Sequence, residues 1–183
     1  MNIANIVTCS RVLLIPVVIA LYYSSIPHGA ILAAIVFAIA SLTDWLDGYL
    51  ARKLKQTSPF GAFLDPVADK LLVVMALVLL TANFPSPWFV VPTAIIIARE
   101  VFVSALREWM ANCNKRELVA VGHIGKVKTT VHMIAITILI GVEASTPAIF
   151  TQLGYVLIYV SAVFSLWSMI SYLRAALPTL TMK

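Results

Sequence analysis

Charge is what this chain has least of. Only 11% of its 183 residues are charged while 61% are hydrophobic, and the mean hydropathy is +0.97. A soluble domain is about half apolar and about a quarter charged, so this balance excludes a water-soluble globule. Cysteine is nearly absent too. Cys9 and Cys113 stand far apart without metal-ligand spacing, which argues against a disulfide framework or thiolate metal centre and reads as two free thiols. Aspartate is missing from everything but one short stretch, which holds all four: Asp44, Asp47, Asp65 and Asp69. Internal repeats and low-complexity tracts are also absent, so residues 1–183 read as one membrane domain.

What is present is a series of long apolar runs. A span needs about 20 apolar residues, and backbone groups in lipid must be satisfied within the segment, so the spans should be helices. The pattern predicts an all-α integral membrane protein of about six transmembrane helices: Arg11–Tyr23, Ala30–Arg52, Gly61–Ala82, Trp88–Met110, Val119–Val142 and Ile149–Leu173. The first is begun earlier by a polar stripe, Asn2, Asn5, Thr8 and Arg11, at every third residue. That stripe reads either as a solvated helix start with Asn capping or as a group of side chains near a nucleotide. Pro66 suits the first turn of the third span. Trp45, Trp88, Trp109 and Trp167 read as interfacial anchors. Gly154, Ser161, Ser165 and Ser168 let the sixth span approach a neighbour closely. His123 and His132 have no metal partner set and read as ordinary polar residues.

The basic residues set the orientation. Arg52, Lys53, Lys55, Lys115 and Arg116 fall in the second-to-third and fourth-to-fifth connections, with Arg11, Arg174 and Lys183 on the same side; the three opposite turns have no lysine or arginine. The positive-inside rule then puts both termini and the aspartates in the cytoplasm. The net charge of +5 suits an anionic membrane surface and anionic substrates rather than nucleic acid.

The aspartates are spaced by three (Asp44, Asp47) and by four (Asp65, Asp69), so each pair shares a helical face. If the two helices lie side by side, four carboxylates converge. Such a set either takes up protons or recruits cations, and oxygen-only ligands favour Mg²⁺, Mn²⁺ or Ca²⁺, two of which can share bridging carboxylates. Gly48 lets a ligand approach the backbone, Arg52 can pair with phosphate, and Gly61 opens space beside the second pair. Arg99, Arg107, Lys126 and Lys128 form a second set. They read either as a phosphate cradle or as snorkelling cations paired with Glu100 and Glu108. Three functions compete at this point: metal-dependent phosphoryl chemistry, a cation path across the membrane, and a scaffold. The last gives no reason for four clustered carboxylates.

The run D-W-L-D-G-Y-L-A-R (44–52), eight residues, then G-A-F-L-D-P-V-A-D (61–69) resembles the signature of the CDP-alcohol phosphotransferase family at every fixed position. The segments N-I-V-T-C-S-R (5–11), I-A-R-E-V-F-V-S-A-L-R-E-W-M (97–110) and I-G-K-V-K-T-T (124–130) extend the likeness over nearly the whole chain, toward the branch whose acceptor is sn-glycerol 3-phosphate. The resemblance implies a bacterial inner-membrane enzyme, its site on the cytoplasmic side, that moves a phosphatidyl group from CDP-diacylglycerol to that acceptor. Sister enzymes use inositol phosphate, serine or phosphatidylglycerol. It implies two Mg²⁺ or Mn²⁺ ions, one on Asp44, Asp47 and Asp65 and one on Asp44, Asp65 and Asp69, with Asp69 also the general base. Gly48, Arg52, Ser58 and Gly61, with Asn5 and Thr8 near the nucleotide, would receive CDP-diacylglycerol. Arg99, Arg107, Lys126 and Lys128 would bind glycerol 3-phosphate. A homodimer is also implied.

Overall fold

The computed structural model describes the backbone of residues 3–54, 59–113 and 123–181, and the side chains of residues 9–43, 64, 66–113 and 129–179. Among them are six helices and no strand: α1 (Ile3–Tyr22), α2 (Gly29–Leu54), α3 (Pro59–Asn83), α4 (Pro87–Asn112), α5 (His123–Ile140) and α6 (Ala148–Thr181). All six expected segments are therefore helical. Within the described residues, three windows are long and apolar enough to cross a bilayer: Pro66–Asn83, Pro87–Asn112 and Ala148–Thr179.

Local chemistry explains the boundaries. Ser24 ends α1 by donating from Oγ to the Leu21 carbonyl at 2.7 Å. The chain then turns through His28, at φ 61°. A Cβ on Gly29 would lie 2.7 Å from the Leu21 carbonyl oxygen and 2.8 Å from Ser24 Oγ, so only glycine fits there. Ser86, with extended backbone, caps α4, and Pro87 supplies its first turn. Two boundaries differ from expectation. Pro59 opens α3, which leaves Pro66 inside the helix rather than in its first turn. α6 runs to Thr181 instead of stopping near Leu173. Its extra turns bury Ala176 against Leu106 and Met110 of α4, with Tyr172 alongside.

α1 packs on both α2 and α3, α6 packs on both α4 and α5, and α5 also reaches α2. Among the described residues, α2 and α3 are both packed against α1. One apolar core joins all six helices, with Val18, Phe37, Leu77, Ile96, Ile136 and Ile158 among its members. The outside is apolar as well: Leu13, Ile39, Val78, Val101 and Val163 are exposed, as lipid contact requires and water would not allow. Trp88 and Trp109 bracket α4 with exposed rings; twenty-one residues of helix separate them by about 32 Å, close to the roughly 30 Å of a hydrocarbon core.

One end of the bundle is closed by short turns. There Phe84, Phe89 and Tyr155 pack with ring centroids 5.2–5.9 Å apart. His28 Nδ1 meets a Glu143 carboxylate oxygen at 3.5 Å, and Tyr159 donates to the Trp88 carbonyl at 2.6 Å. The opposite end collects the C-terminal parts of α2, α4 and α6 and the N-terminal parts of α3 and α5. That end holds the positions singled out from the sequence.

Candidate active site

Asp44 and Asp47 lie in the second half of α2, and Asp65 and Asp69 in the first half of α3. The helical register that spaces them by three and by four therefore holds. The side chains of Asp44, Asp47 and Asp65 lie outside the described residues, as do those of Asn5, Thr8, Arg52, Lys126 and Lys128. Gly48 and Gly61 are helical positions whose surroundings are likewise undescribed, and Ser58 lies outside the described chain altogether. Among the described residues no group of three or more His, Cys, Asp or Glu side chains assembles; of the four carboxylates, only Asp69 is among them.

Asp69 is half-buried and faces a cavity of about 590 Å³. One wall is α2, through Ala38, Ser41 and Leu42; the other is α5, from Thr129 to Ile138. The cavity is graded. Asp69, Thr129 and Thr130 mark its polar end, while Met133, Ile134 and Ile138 continue it along α5, about 13 Å from Thr129 at helical rise. The hydroxyls farther along are turned onto their own helices: Ser41 donates to the Phe37 carbonyl at 2.9 Å and Thr137 to the Met133 carbonyl at 2.8 Å. Back-bonded this way they leave the wall effectively apolar. Leu42 and Ile134 are exposed at its edge. A space with a carboxylate at one end and an apolar continuation at the other suits an amphiphile with a charged head.

The cations on α4 face another way. Arg99 sits near the middle of α4, thirteen residues before Asn112, or about 20 Å from that end, and is 7% exposed. Its Nε and one Nη donate to Ser168 Oγ of α6 at 3.2 and 3.0 Å, and the other Nη meets the adjacent Glu100 carboxylate at 2.7 Å. The Arg99–Glu100 pair thus lies within α4, and Ser168 ties the same guanidinium to α6. Arg107 lies two turns nearer the end. It donates to Tyr172 Oη at 2.7 Å, with its guanidinium carbon 4.9 Å from that ring's centroid. Its Nε is buried without a hydrogen-bond partner. Neither arginine lines the Asp69 cavity. The structure brings them together against α6 rather than against the aspartate helices.

The partners of these cations are not legible in the sequence. Ser168 and Tyr172 receive the arginines from more than sixty positions away, and such pairings leave no local signal. Lys70 donates to Ser104 of α4. It had a signal: a lysine directly after Asp69 in an apolar run. Arg11, taken as part of a polar stripe, is among the largest fully buried side chains, at 1% exposed.

An all-helical, lipid-facing bundle with one aspartate at the polar end of an amphiphile-sized cavity, and the other three on the same two helices, is the setting of a membrane-embedded lipid transferase. The chain belongs to the CDP-alcohol phosphatidyltransferase family, whose pattern matches residues 1–167. Among its relatives are the proteins named CDP-diacylglycerol–glycerol-3-phosphate 3-phosphatidyltransferase of Escherichia coli strain K12, Salmonella choleraesuis strain SC-B67 and Shigella flexneri serotype 5b strain 8401. Each is 48% identical over 176 residues, spanning 96% of this chain and 94% of the relative.

Proposed function

We propose that this chain transfers the phosphatidyl group of CDP-diacylglycerol to sn-glycerol 3-phosphate, releasing CMP and phosphatidylglycerophosphate. The observation that carries the reading is the Asp69 carboxylate at the polar end of the α2–α5 cavity, in a chain that matches enzymes of that name along almost its full length. The cavity takes the head group of CDP-diacylglycerol beside Asp69, and its acyl chains leave between Leu42 and Ile134 into lipid. Gly48, Arg52, Ser58 and Gly61 receive the CDP moiety, with Asn5 and Thr8 near the nucleotide.

Asp69 accepts the proton of the acceptor's primary hydroxyl while that oxygen attacks the β-phosphorus. The new oxygen–phosphorus bond forms as the bond to CMP breaks, and CMP leaves with the electron pair. Arg99, Arg107, Lys126 and Lys128 orient the acceptor phosphate. Arg99 also ties α4 to α6 through Ser168. Asp44, Asp47, Asp65 and Asp69 offer oxygen alone on two helices, a donor set that fits hard divalent cations such as Mg²⁺ or Mn²⁺, two per site. When bound, the ions offset the pyrophosphate charge and the charge that develops on CMP.

The reading places residues 1–183 as one domain in a bacterial inner membrane, with both termini and the site cytoplasmic. The one-sided distribution of lysine and arginine supports that orientation. It also includes the homodimer implied by the family resemblance, which the mass of the detergent-solubilised protein tests. The activity is tested by CMP release from purified protein with CDP-diacylglycerol and Mg²⁺, acceptors being offered singly. Release with sn-glycerol 3-phosphate alone, abolished by EDTA and restored by Mg²⁺, is expected. Release with serine or inositol phosphate instead would overturn the acceptor assignment, and metal-driven cation flux in liposomes without CDP-lipid would overturn the transferase.

A further inference from the structure

We propose that Lys70 is a positioning residue for the transfer reaction: its ammonium, bound to Ser104, latches α3 to α4 and sets the rotation of α3 that aims Asp69 into the cavity. The inference rests on the assignment of Asp69 as the base.

Adjacent residues on a helix point about 100° apart. Asp69 faces the α2–α5 cavity, and Lys70, the next residue, reaches the other way to Ser104 Oγ on α4. Both ends of that hydrogen bond are half-buried. A lysine at the start of the apolar window Pro66–Asn83 is costly in lipid and stays only where a partner holds it. Ser104 occupies the flank of α4 that also carries Glu100, one turn before it, and Arg107, one turn after. Lys70 therefore joins the aspartate helix to the flank that holds the acceptor-side cation, with the Glu100 carboxylate a turn away to offset its charge.

The packing explains why a latch is needed. α3 is held chiefly by α1 and only lightly by α4. Among the described residues, its contacts with the main core, Leu72, Val73, Ala76, Leu77 and Leu80, all follow Asp69 along the helix. A side-chain tip about 6 Å from the helix axis moves about 1 Å for a rotation of about 10°. A displacement of that size can cost on the order of 10²-fold in rate.

The test compares the purified full-length enzyme with K70M, K70R, S104A, K70M/S104A and D69N. It measures kcat, KM for both substrates, and the melting temperature in detergent. K70M should lower kcat by about tenfold to a hundredfold while KM for CDP-diacylglycerol stays within about twofold, because the lipid's own contacts remain. K70R, which keeps a donor on a long stem, should recover most of the loss. S104A should act in the same direction but less strongly, and adding it to K70M should cost nothing further, since the two share one interaction. A K70M enzyme with parental kcat, a K70R enzyme no better than K70M, or additive losses in the double variant would overturn the latch. A lowered melting temperature with kcat intact would overturn it too, by reducing Lys70 to a stabilising contact. D69N separates the premises: an active D69N removes the base assignment, whereas an inactive D69N beside a normal K70M removes the latch alone.

Discussion

Arg107 both stacks on Tyr172 and donates to it: the guanidinium carbon lies 4.9 Å from the ring centroid, and one Nη is 2.7 Å from the phenolic oxygen. One aromatic side chain thus holds the guanidinium while its buried Nε keeps a donor without a partner. Tyr172→Phe keeps the ring and removes the acceptor. It is expected to raise KM for glycerol 3-phosphate by roughly fivefold, the effect of one modest hydrogen bond, with kcat little changed. Arg107→Ala should raise the same KM by on the order of 10²-fold, as loss of a charge-assisted contact does. If both variants lower the melting temperature and leave KM alone, Arg107 is a strut between α4 and α6 and not an acceptor ligand.

Asp69→Asn keeps shape and removes the base. CMP release should fall by about 10²- to 10⁴-fold, the usual contribution of a positioned general base. Insertion and melting temperature should remain close to the parent's, while Mg²⁺-dependent binding of CDP-diacylglycerol weakens, since the same carboxylate belongs to the proposed metal set. Near-parental turnover would move the proton acceptor elsewhere.

The Arg99–Glu100 pair is buried near mid-helix, and breaking it should be worse than removing it. Arg99→Ala leaves the Glu100 carboxylate without that partner and is expected to cost on the order of 3–5 kcal/mol. The double change R99M/E100M should restore part of that stability, because the carboxylate that Arg99→Ala strands is then removed as well. Reversible unfolding in mixed detergent measures both. A double variant less stable than R99A would mean that Glu100 is held mainly by a group other than Arg99.

The aspartate set was legible because its information is local. Spacings of three and four within one helix need no knowledge of the fold, and α2 and α3 deliver them. The helices were legible for the same reason, since lipid imposes one solution on every long apolar run. Arg99 was not. Its neighbour Glu100 is visible in the sequence, but the choice between an anion site and a pair inside the bundle depends on Ser168, 69 positions away on α6. The burial of Arg11 is tertiary in the same sense. Lys70 lies between these cases: its cost in lipid is readable from the sequence, while its partner Ser104 is not. The end of α6 was misplaced because the packing of Ala176 on α4, which carries the helix on, is a tertiary contact with no local signal.

Gly154 shows how closely the helices depend on small residues. A Cβ built there would fall 2.4 Å from Leu139 Cδ2 and 2.5 Å from its Cγ, and Leu139 is fully buried in the core of α5. The leucine has nowhere to swing, because its other sides pack against the same core. Gly154→Ala therefore forces α5 and α6 apart or drives Leu139 off its rotamer, at a cost of about 1–3 kcal/mol. Any gain in helix propensity, about 1 kcal/mol, is smaller or at best equal. The clash has a specific remedy. Leu139→Ala alone should destabilise by about 2–5 kcal/mol through the cavity it leaves, yet in the G154A background part of that space is already claimed. The two changes should then cost less together than their separate losses predict, by about 1 kcal/mol or more of coupling. Additive losses would show that α5 and α6 relax apart at Gly154 freely. In that case the α5 wall of the Asp69 cavity is not held by this contact, and G154A should leave KM for CDP-diacylglycerol unchanged.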